Sequence, residues 1–329
     1  MSRVDDLVDS ALEALIAPSF TKVGYEVRRR LDEWTPIDGY DLRGRTYVVT
    51  GATSGLGLAA SEVLARAGAE VLVVGRSAEK TERVVDELRD RTGSTDVQPV
   101  VADMGDLDQV RAAAAAIRTG RSRLAGLLHN AGALDHERRT TSTGIEATIA
   151  SQVVGPFLLT SLLLDLLRAA EPGRVVTMSS GGMYAAALTV DHLQLDEEHY
   201  DGTKQYALAK RVQVTLNERW GALVDPAEVV FHSVHPGWAD TPGVAASLPT
   251  FRKVVGPLLR DPAAGADTLV WLAADDGAPL ASTGRFWLDR RTRPIHRLPS
   301  TRRSDTPERR DELWRWVAGE AVGDPAYLP

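Results

Sequence analysis

Tyr206 and Lys210 stand four positions apart in the segment KQYALAKRVQV, whose apolar spacing predicts a helix. Positions i and i+4 share one face of a helix, so the two side chains point the same way. A neighbouring ammonium group stabilises a phenolate and lowers the pKa of a tyrosine, which makes the pair a candidate acid–base device. A tyrosine and a lysine at this spacing are also common on ordinary helix surfaces. The strand GRVVTMSS ends in Ser180, whose hydroxyl could hold a carbonyl oxygen beside Tyr206.

A glycine-rich loop, TGATSGLG, directly follows a β-branched apolar run and opens a segment of helical period. Gly51, Gly55 and Gly57 allow a tight turn, close approach of the backbone to a pyrophosphate and close packing of helix on strand. The unpaired N–H groups at the start of the helix would face the phosphates. We therefore predict a dinucleotide-binding loop; the alternative is a merely tight turn between strand and helix.

The end of the second strand, VLVVGRS, bears on the choice between NAD and NADP. A site that prefers NAD usually has an acidic residue here for the ribose 2′-hydroxyl, but this chain has Gly75 and Arg76. Arg76 can form a charge-assisted fork with a 2′-phosphate, so the sequence favours NADP(H), with NAD(H) as the other option. An exposed arginine without a ligand is the alternative. Asp103, after the third strand, either approaches the adenine edge or stabilises a helix N-terminus.

Short apolar runs alternate with segments of helical period, which predicts parallel strands joined by right-handed crossovers. The predicted strands cover residues 45–50, 70–75, 97–102, 124–130, 173–180, 228–235 and 284–289. The predicted fold is therefore α/β: a doubly wound, Rossmann-type parallel sheet of about seven strands with helices on both faces. We expect a helical extension over 1–44, a catalytic domain over 45–290 and an arginine- and proline-rich tail over 291–329, with a short helix around 307–316.

Composition excludes several classes of function. The 329 residues include no cysteine, which excludes disulfides, thiolate nucleophiles and iron–sulfur clusters. The net charge of −7 argues against general nucleic-acid binding, and the histidines show no metal-ligand spacing, so no metal is expected. Because no secretory signal and no unbroken apolar run of about 18 residues is evident, we expect a cytoplasmic protein without a membrane span.

The two ends of the chain could make contacts of their own. Eight arginines lie in residues 289–310, a run that we expect to be solvated or, less often, to contact an acidic partner or membrane surface. The N-terminal stretch ALEALIAPSFTKVGYEVRRRL could rest on a membrane, although packing on the domain is favoured. Trp314 and Trp316 cannot share one helix face, so we expect one to pack on the domain and the other to meet a partner or lipid.

Together these motifs resemble the short-chain dehydrogenase/reductase family over roughly residues 40–290. TGATSGLG matches its glycine motif, HNAG its Asn-Asn-Ala-Gly motif with His129 in place of the first asparagine, and HPGWADT its Pro-Gly motif. Ser180 and YALAK match its catalytic residues, and the long span from Ser180 to Tyr206 is similar to the retinol-dehydrogenase-like branch. A methyltransferase with a similar glycine loop would leave YALAK and HPGWADT unexplained.

The resemblance implies hydride transfer between a nicotinamide cofactor and a carbonyl or alcohol carbon. Tyr206 would give or take the proton, Lys210 would lower the pKa of Tyr206 and hold the nicotinamide ribose, and Ser180 would position the substrate oxygen. The residues expected to contact or support the cofactor are Gly51, Thr53, Ser54, Gly55, Leu56, Gly57, Arg76, Asp103, Met104, Asn130, Ala131, Gly132, Tyr206, Lys210, Pro236, Gly237 and Thr241. Homodimers and homotetramers are usual in this family, so a homo-oligomer is a possible form.

Gln152 departs from the family pattern. Members usually carry an asparagine at this point of the helix, where it supports a water in the proton relay to the lysine, but ATIASQVVGPF has Gln152. Glutamine keeps the amide and adds a methylene, which changes its reach. Gln152 could do the same work with a displaced water, the relay could be dispensable, or the chain could be a catalytically weak NADP(H)-binding regulatory or scaffold protein.

The substrate site in this fold lies beyond the carboxyl ends of the strands. We expect segments 180–200 and 237–259 to form it, and their candidate contacts are Met183, Tyr184, Leu193, Trp238, Leu248 and Phe251. A largely apolar lining predicts a lipophilic aldehyde, ketone or alcohol rather than a sugar or a charged acid. Each of these side chains could equally pack within its own loop.

Overall fold

An eight-stranded, mostly parallel sheet forms the centre of the protein in a computed structural model that describes residues 3–323. Its strands are β1 (Thr46–Thr50), β2 (Glu70–Gly75), β3 (Val97–Val101), β4 (Gly126–His129), β5 (Gly173–Met178), β6 (Val229–Val234), β7 (Arg285–Leu288) and β8 (Arg291–Thr292). The strand order is β3-β2-β1-β4-β5-β6-β7-β8, with β3 and β8 at the edges. The seven predicted strands are confirmed. The antiparallel β8 was not predicted, because it is only two residues long and follows a tight turn at Asp289 and Arg290.

The winding of the sheet reverses at its middle. The first strand, β1, pairs with β2 on one side and with β4 on the other, so the chain builds outward from β1 in both directions. Loops that leave the carboxyl ends of β1 and β4 therefore diverge and open a crevice between them. Val48 and Val49 of β1 are fully buried on opposite faces, as expected of a strand covered by helices on both sides.

Helices cover both faces of the sheet. In chain order they are α1 (Arg3–Ala14), α2 (Ile16–Phe20), α3 (Lys22–Leu31), α4 (Gly55–Arg66), α5 (Ala78–Thr92), α6 (Leu107–Arg118), α7 (Ala147–Ile149), α8 (Gly155–Arg168), α9 (Gly202–Leu223), α10 (Pro242–Ser247), α11 (Pro249–Val255), α12 (Pro262–Ala274), α13 (Pro299–Ser304) and α14 (Pro307–Val322). Helices α4, α5 and α12 bury apolar residues on one face, and α6, α8 and α9 bury theirs on the other. This arrangement confirms the doubly wound fold.

The run Ala147–Arg168 is long and apolar enough to cross a membrane when only length and composition are considered. In the fold, 78% of its 18-residue apolar window is buried, and α8 packs between α6 and α14. Its hydropathy is that of a helix in the protein core. The single helix expected near 145–169 is interrupted at Ala150–Val154, where a π-helical turn separates α7 from α8. Such turns frequently occur at functional sites.

The C-terminal helix α14 belongs to the core. The helix predicted around 307–316 is confirmed and extends over Pro307–Val322. Trp314 packs against Trp220 with ring centroids 4.9 Å apart. Trp316 is partly buried against the same cluster, so both tryptophans pack on the domain, Trp314 more completely than Trp316.

Only part of the arginine run at 289–310 is solvated as predicted: Arg302, Arg303 and Arg309 are exposed, whereas the arginines at its start are partly buried in ion pairs. Arg291 pairs with Asp32 at 2.5 Å, and Arg293 pairs with Asp9 at 2.6 Å. These arginines fix α1 and α3 onto the domain, which confirms the favoured interpretation of the N-terminal stretch. The prediction failed for these arginines because the carboxylates that complement them lie at the other end of the chain, where no local pattern connects them.

Candidate active site

A cleft of about 1200 Å³ opens at the carboxyl ends of the strands, where the winding reverses between β1 and β4. Most of the predicted cofactor residues line it, from Arg76 at one end to Thr241 near the other. Ser180, Tyr206 and Lys210 line the same cleft. The glycine loop and the residues predicted to react therefore share one cavity.

The glycine loop presents backbone atoms without side chains to the cleft. Gly51 has a φ of +64°, and a Cβ at this position would lie 2.7 Å from Cα of Ala131. A Cβ at Gly57 would lie 2.5 Å from the carbonyl oxygen of Gly51, so neither position accepts a side chain. Ser54 precedes α4 without capping it through its side chain, which leaves the N–H groups of the first turn available to a phosphate. These features fit a dinucleotide pyrophosphate.

The HNAG segment supports this loop from β4. Asn130 donates from Nδ2 to the carbonyl oxygens of Thr50 and Gly51, both at 3.2 Å. The predicted supporting role of Asn130 thus takes the form of holding the glycine loop. His129 is buried with Nε2 2.8 Å from the hydroxyl of Thr160, and burial lowers the pKa of His129 to about 3.

Two cations line the end of the cleft where the adenine half of a dinucleotide is expected. Arg76 is exposed and lines this end. Gly75 leaves no room for an acidic side chain, since a Cβ would lie 2.3 Å from Oγ1 of Thr81 and 2.5 Å from the methyl carbon of Thr53. Lys80, in the first turn of α5, lines the same end and was not predicted. Its only signal in the sequence is a second cation close to the start of a helix. These two cations suit a phosphate group.

Asp103 lies in the wall of the cleft, but its carboxylate already has a structural partner. Its Oδ1 accepts a hydrogen bond from the Gly105 N–H at 2.8 Å, and its own N–H donates to Oε1 of Gln109 at 3.0 Å. These bonds stabilise the turn that leads into α6, in agreement with the structural interpretation of Asp103.

The residues predicted to react meet where β5 ends against α9. Lys210 is buried and Tyr206 half-buried on the same face of α9. The Lys210 Nζ donates to the Met178 carbonyl oxygen at 2.9 Å and lies 5.1 Å from the centroid of the Tyr206 ring. Ser180 follows β5, and its hydroxyl accepts from the Gly182 N–H at 3.3 Å. The structure therefore assembles the predicted triad.

The protonation states differ from those predicted from spacing. Burial raises the pKa of Tyr206 to about 12, although a hydrogen bond with Ser180 lowers it in part. Burial lowers the pKa of Lys210 to about 7. The expected lowering of the tyrosine pKa by Lys210 is therefore wrong, because burial removes the water that stabilises the charged forms of both groups. The Tyr206 hydroxyl is therefore protonated at physiological pH.

Gln152 lies in the π-helical turn, and its side chain is buried. Its Nε2 donates to the Ala133 carbonyl oxygen at 2.6 Å, whereas its Oε1 has no hydrogen-bond partner. This Oε1 and the Lys210 Nζ lie 3.0 and 3.3 Å from the point where a Cβ of Gly132 would be, so both atoms face one small space. The main-chain carbonyl of Gln152 accepts from Nε2 of Gln213 at 2.7 Å. Gln213 was not predicted; its signal is an amide between two valines on a buried helix.

The outer part of the cleft is apolar, as predicted. Trp238 and Phe251 line it with ring centroids 5.1 Å apart, together with Leu248. Three of the predicted substrate contacts are wrong, since they are buried in the core instead: Met183, Tyr184 and Leu193. The Tyr184 hydroxyl donates to the Pro294 carbonyl oxygen at 3.0 Å. The C-terminal segment therefore covers this part of the loop, which no local pattern indicates.

The segment from Pro236 to Thr241 faces the glycine loop across the cleft. The Thr241 hydroxyl accepts from the Val244 N–H at 3.2 Å and caps α10. Its Cβ lies 3.4 Å from the point that a Cβ of Gly55 would occupy. Pro236 and Gly237 also line the cleft, as predicted.

Comparisons with known proteins agree with this site. The profile of the short chain dehydrogenase family matches residues 45–250. Over 295 residues the chain is 36% identical to dehydrogenase/reductase SDR family member 12 of Homo sapiens, covering 89% of this chain and 91% of that protein. It is 29% identical to human retinol dehydrogenase 11 over 265 residues, covering 79% and 82% of the two chains. A short chain dehydrogenase from Escherichia coli CFT073, solved in complex with NADPH, superposes with a TM-score of 0.62 at 25% identity over 78% of this chain and 100% of that one.

The chain therefore belongs to the short-chain dehydrogenase/reductase family. It is an oxidoreductase of the NAD(P)-dependent kind. Among its relatives, it is similar over most of its length to dehydrogenase/reductase SDR family member 12.

Proposed function

We propose that the protein is an NADP(H)-dependent oxidoreductase that transfers a hydride between the cofactor and a lipophilic carbonyl or alcohol. The observation that carries the proposal is the shared cleft, in which Ser180, Tyr206 and Lys210 lie beyond a glycine loop shaped for a pyrophosphate. The name of one relative, retinol dehydrogenase 11, supports a lipophilic substrate.

The preference for NADP(H) rests on the adenine end of the cleft. Arg76 and Lys80 provide two cations for a 2′-phosphate, and the crowded position of Gly75 excludes the carboxylate that an NAD site would use. Because Arg76 is exposed, its ion pair with the 2′-phosphate would be solvated, so the preference for NADP(H) over NAD(H) should be moderate. The NADPH complex of the Escherichia coli relative supports the same choice.

The bound cofactor would supply or accept the hydride at its nicotinamide ring. The Ser180 hydroxyl holds the substrate oxygen beside Tyr206. Because its pKa is about 12, Tyr206 is protonated and donates its proton as negative charge develops on a carbonyl oxygen, which favours reduction. Lys210 lies 5.1 Å from the ring centroid and titrates near neutral pH because burial lowers its pKa to about 7; its protonated form stabilises the phenolate that remains.

Gln152 completes a proton relay in this proposal. Its unpartnered Oε1 and the Lys210 Nζ face the same space beside Gly132, so a water there would accept from Lys210 and donate to Gln152. Of the three interpretations of Gln152 given above, this is the one in which the glutamine replaces the family asparagine in the proton relay and binds the water at a shifted position.

The substrate oxygen would lie at Tyr206 and the remainder of the molecule against Trp238, Leu248 and Phe251. Contacts of this kind select for apolar area rather than for charge. We further propose that the protein works in the cytoplasm. The support is its cysteine-free composition, which suits a reducing compartment, and cell fractionation tests it.

The test is NADPH oxidation by the purified protein with a panel of medium- and long-chain aldehydes, ketones and retinal. We expect Tyr206→Phe to lower kcat by about 10²- to 10⁴-fold, the usual contribution of a general acid. The matched control is Tyr40→Phe, which removes a hydroxyl that donates to Asp275 at 2.7 Å, away from the cleft, and should leave kcat unchanged.

Three results would count against the proposal. Turnover that survives Tyr206→Phe would refute the assignment of the acid. NADPH that fails to raise the melting temperature of the wild type would refute the cofactor. NADPH binding without turnover on any substrate would favour the alternative, a catalytically weak NADP(H)-binding regulatory or scaffold protein.

A further inference from the structure

Residues 236–241, here called the Pro-Gly loop, are hydrogen-bonded on both sides by distant parts of the chain. The Trp238 N–H donates to the Phe20 carbonyl oxygen at 2.7 Å. On the other side, the Arg260 N–H donates to the Trp238 carbonyl oxygen and the Asp240 N–H to the Arg260 carbonyl oxygen, both at 2.8 Å. The loop thus lies like a short strand between the N-terminal helix α2 and residue 260.

The Arg260 side chain lies directly beneath this loop and is almost completely buried. Its guanidinium donates to the carbonyl oxygens of Phe20 at 3.1 Å, Ser19 at 3.2 Å and Pro236 at 3.3 Å. Gly237 has a φ of +72°, and a Cβ there would lie 2.2 Å from Cζ of Arg260. The glycine of the Pro-Gly motif is therefore required in this chain by the guanidinium packed against it.

A buried carboxylate connects Arg260 to the N-terminal helices. Asp289 accepts from Arg260 at 2.5 Å and from Arg28 at 2.6 Å, and all three side chains are at most 1% exposed. Arg28 also pairs with Asp9 at 2.7 Å and with Glu13 at 2.9 Å. Removing one member of such a network leaves an uncompensated buried charge, so the relative positions of its members are strongly constrained.

Aromatic contacts continue the same connection into the cleft. The Phe20 ring packs edge-on against His235 at 4.3 Å and against Trp238 at 5.9 Å, measured between centroids. Trp238 in turn packs against Phe251, which lines the apolar end of the cleft. A residue of the N-terminal extension therefore supports both the Pro-Gly loop and the wall proposed for the substrate.

From these contacts we infer that Arg260 and the N-terminal helices α1–α3 are positioning elements of the active site: they hold the Pro-Gly loop, which lines the same cleft as Tyr206 and Lys210 and would therefore lie beside the nicotinamide half of the cofactor. The inference rests on the proposed function, because it assigns that loop to the cofactor. Small displacements of positioning groups lower rates strongly, since a shift of about 1 Å can cost about 100-fold. Neither Arg260 nor Phe20 needs to touch a reacting atom for this effect.

The test compares two ligands that share the adenine half of the site, NADPH and 2′-phospho-ADP-ribose, which lacks the nicotinamide. The variant Arg260→Lys keeps the charge opposite Asp289 but loses the planar fork that reaches three carbonyl oxygens. We expect the displaced Pro-Gly loop to lose one or two hydrogen bonds to the cofactor, so that NADPH binding weakens by about tenfold. The affinity for 2′-phospho-ADP-ribose should be unchanged. The readout is calorimetric titration of both ligands, together with kcat.

The matched control is Arg290→Lys. Arg290 makes a largely buried ion pair with Asp267 and donates to the Thr35 carbonyl oxygen at 2.9 Å, so its replacement disturbs the same end of the chain without contacting the Pro-Gly loop. It should leave the ratio of the two affinities unchanged. If Arg260→Lys does not fold, Phe20→Leu keeps the backbone bond to Trp238 and should weaken NADPH alone by about 2- to 10-fold.

Each outcome separates the two proposals. Equal weakening of both ligands by Arg260→Lys, or no weakening of either, would overturn the positioning role. A wild type that binds NADPH no more tightly than 2′-phospho-ADP-ribose would also overturn it while leaving the adenine site intact. A wild type that binds neither ligand would overturn the proposed function itself.

Discussion

Lowering the pH from 7.5 to 5.0 should destabilise the fold through its buried histidines. Burial lowers the pKa of His129 and His235 to about 3 and that of His232 to about 4, from an ordinary value of 6.5. Between these values and 6.5 the unfolded chain binds more protons than the folded one. The stability contributed by each neutral histidine is therefore complete above pH 6.5 and is lost as the pH falls toward 3 to 4.

The loss of stability depends on how far the pH lies below 6.5, the ordinary pKa of histidine. At pH 5.0 each histidine costs about 2 kcal/mol, since one pH unit corresponds to about 1.4 kcal/mol, and the three together cost roughly 6 kcal/mol. Burial also raises the pKa of Glu218 and Asp267, whose protonation in the fold offsets part of this loss as the pH falls. The free energy of unfolding should thus fall by several kcal/mol.

The assay is urea unfolding of the wild type and of His129→Asn at pH 7.5, 6.5, 5.75 and 5.0. Asparagine can still bond the Thr160 hydroxyl, which His129 contacts at 2.8 Å, and it does not titrate. We expect the variant to lose about 2 kcal/mol less than the wild type between pH 6.5 and 5.0. The control is His192→Asn at an exposed histidine, which should follow the wild type. Identical pH dependence in His129→Asn and the wild type would refute the reasoning.

Three further predictions concern the cleft. Arg76→Leu should raise the KM for NADPH by about tenfold and leave the KM for NADH unchanged in steady-state kinetics, because only NADPH carries the 2′-phosphate; parallel changes would contradict the assignment. Gly57→Ala should abolish the NADPH-induced rise in melting temperature, since its Cβ would lie 2.5 Å from the Gly51 carbonyl oxygen; an unchanged rise would show that the loop can shift. Gln152→Leu should lower kcat by about tenfold or more in single-turnover measurements and leave NADPH affinity in binding measurements unchanged, because the variant lacks the Oε1 that would accept from the relay water. An unchanged kcat would show that the relay is dispensable.

The fold was largely predictable because its signals are local. Valine-rich runs such as 70–75 read as buried strands by composition, and TGATSGLG carries its function in a few consecutive residues. Tyr206 and Lys210 were predictable for the same reason, since one helix turn sets their relative position.

What the sequence did not indicate depends on burial or on contacts between distant segments. The pKa of Tyr206 follows from burial, which no spacing reports. Arg260 bonds Phe20 across 240 positions, and its partner Asp289 lies in another loop. Met183 looked like a loop residue near the cleft, yet it is buried in a cluster with Phe20 and Phe286, which lie far from it in the sequence.

The two edges of the sheet limit how copies of this protein can associate. The edge strand β3 contains the exposed Pro99, which has no N–H to donate to an incoming strand. At the opposite edge β8 is only two residues long, and Arg291 within it is occupied by Asp32 of the N-terminal extension. Neither edge offers an unpaired ladder of backbone groups of the kind that nucleates sheet extension and aggregation. Pairing of strands between copies is therefore disfavoured at both edges of this sheet.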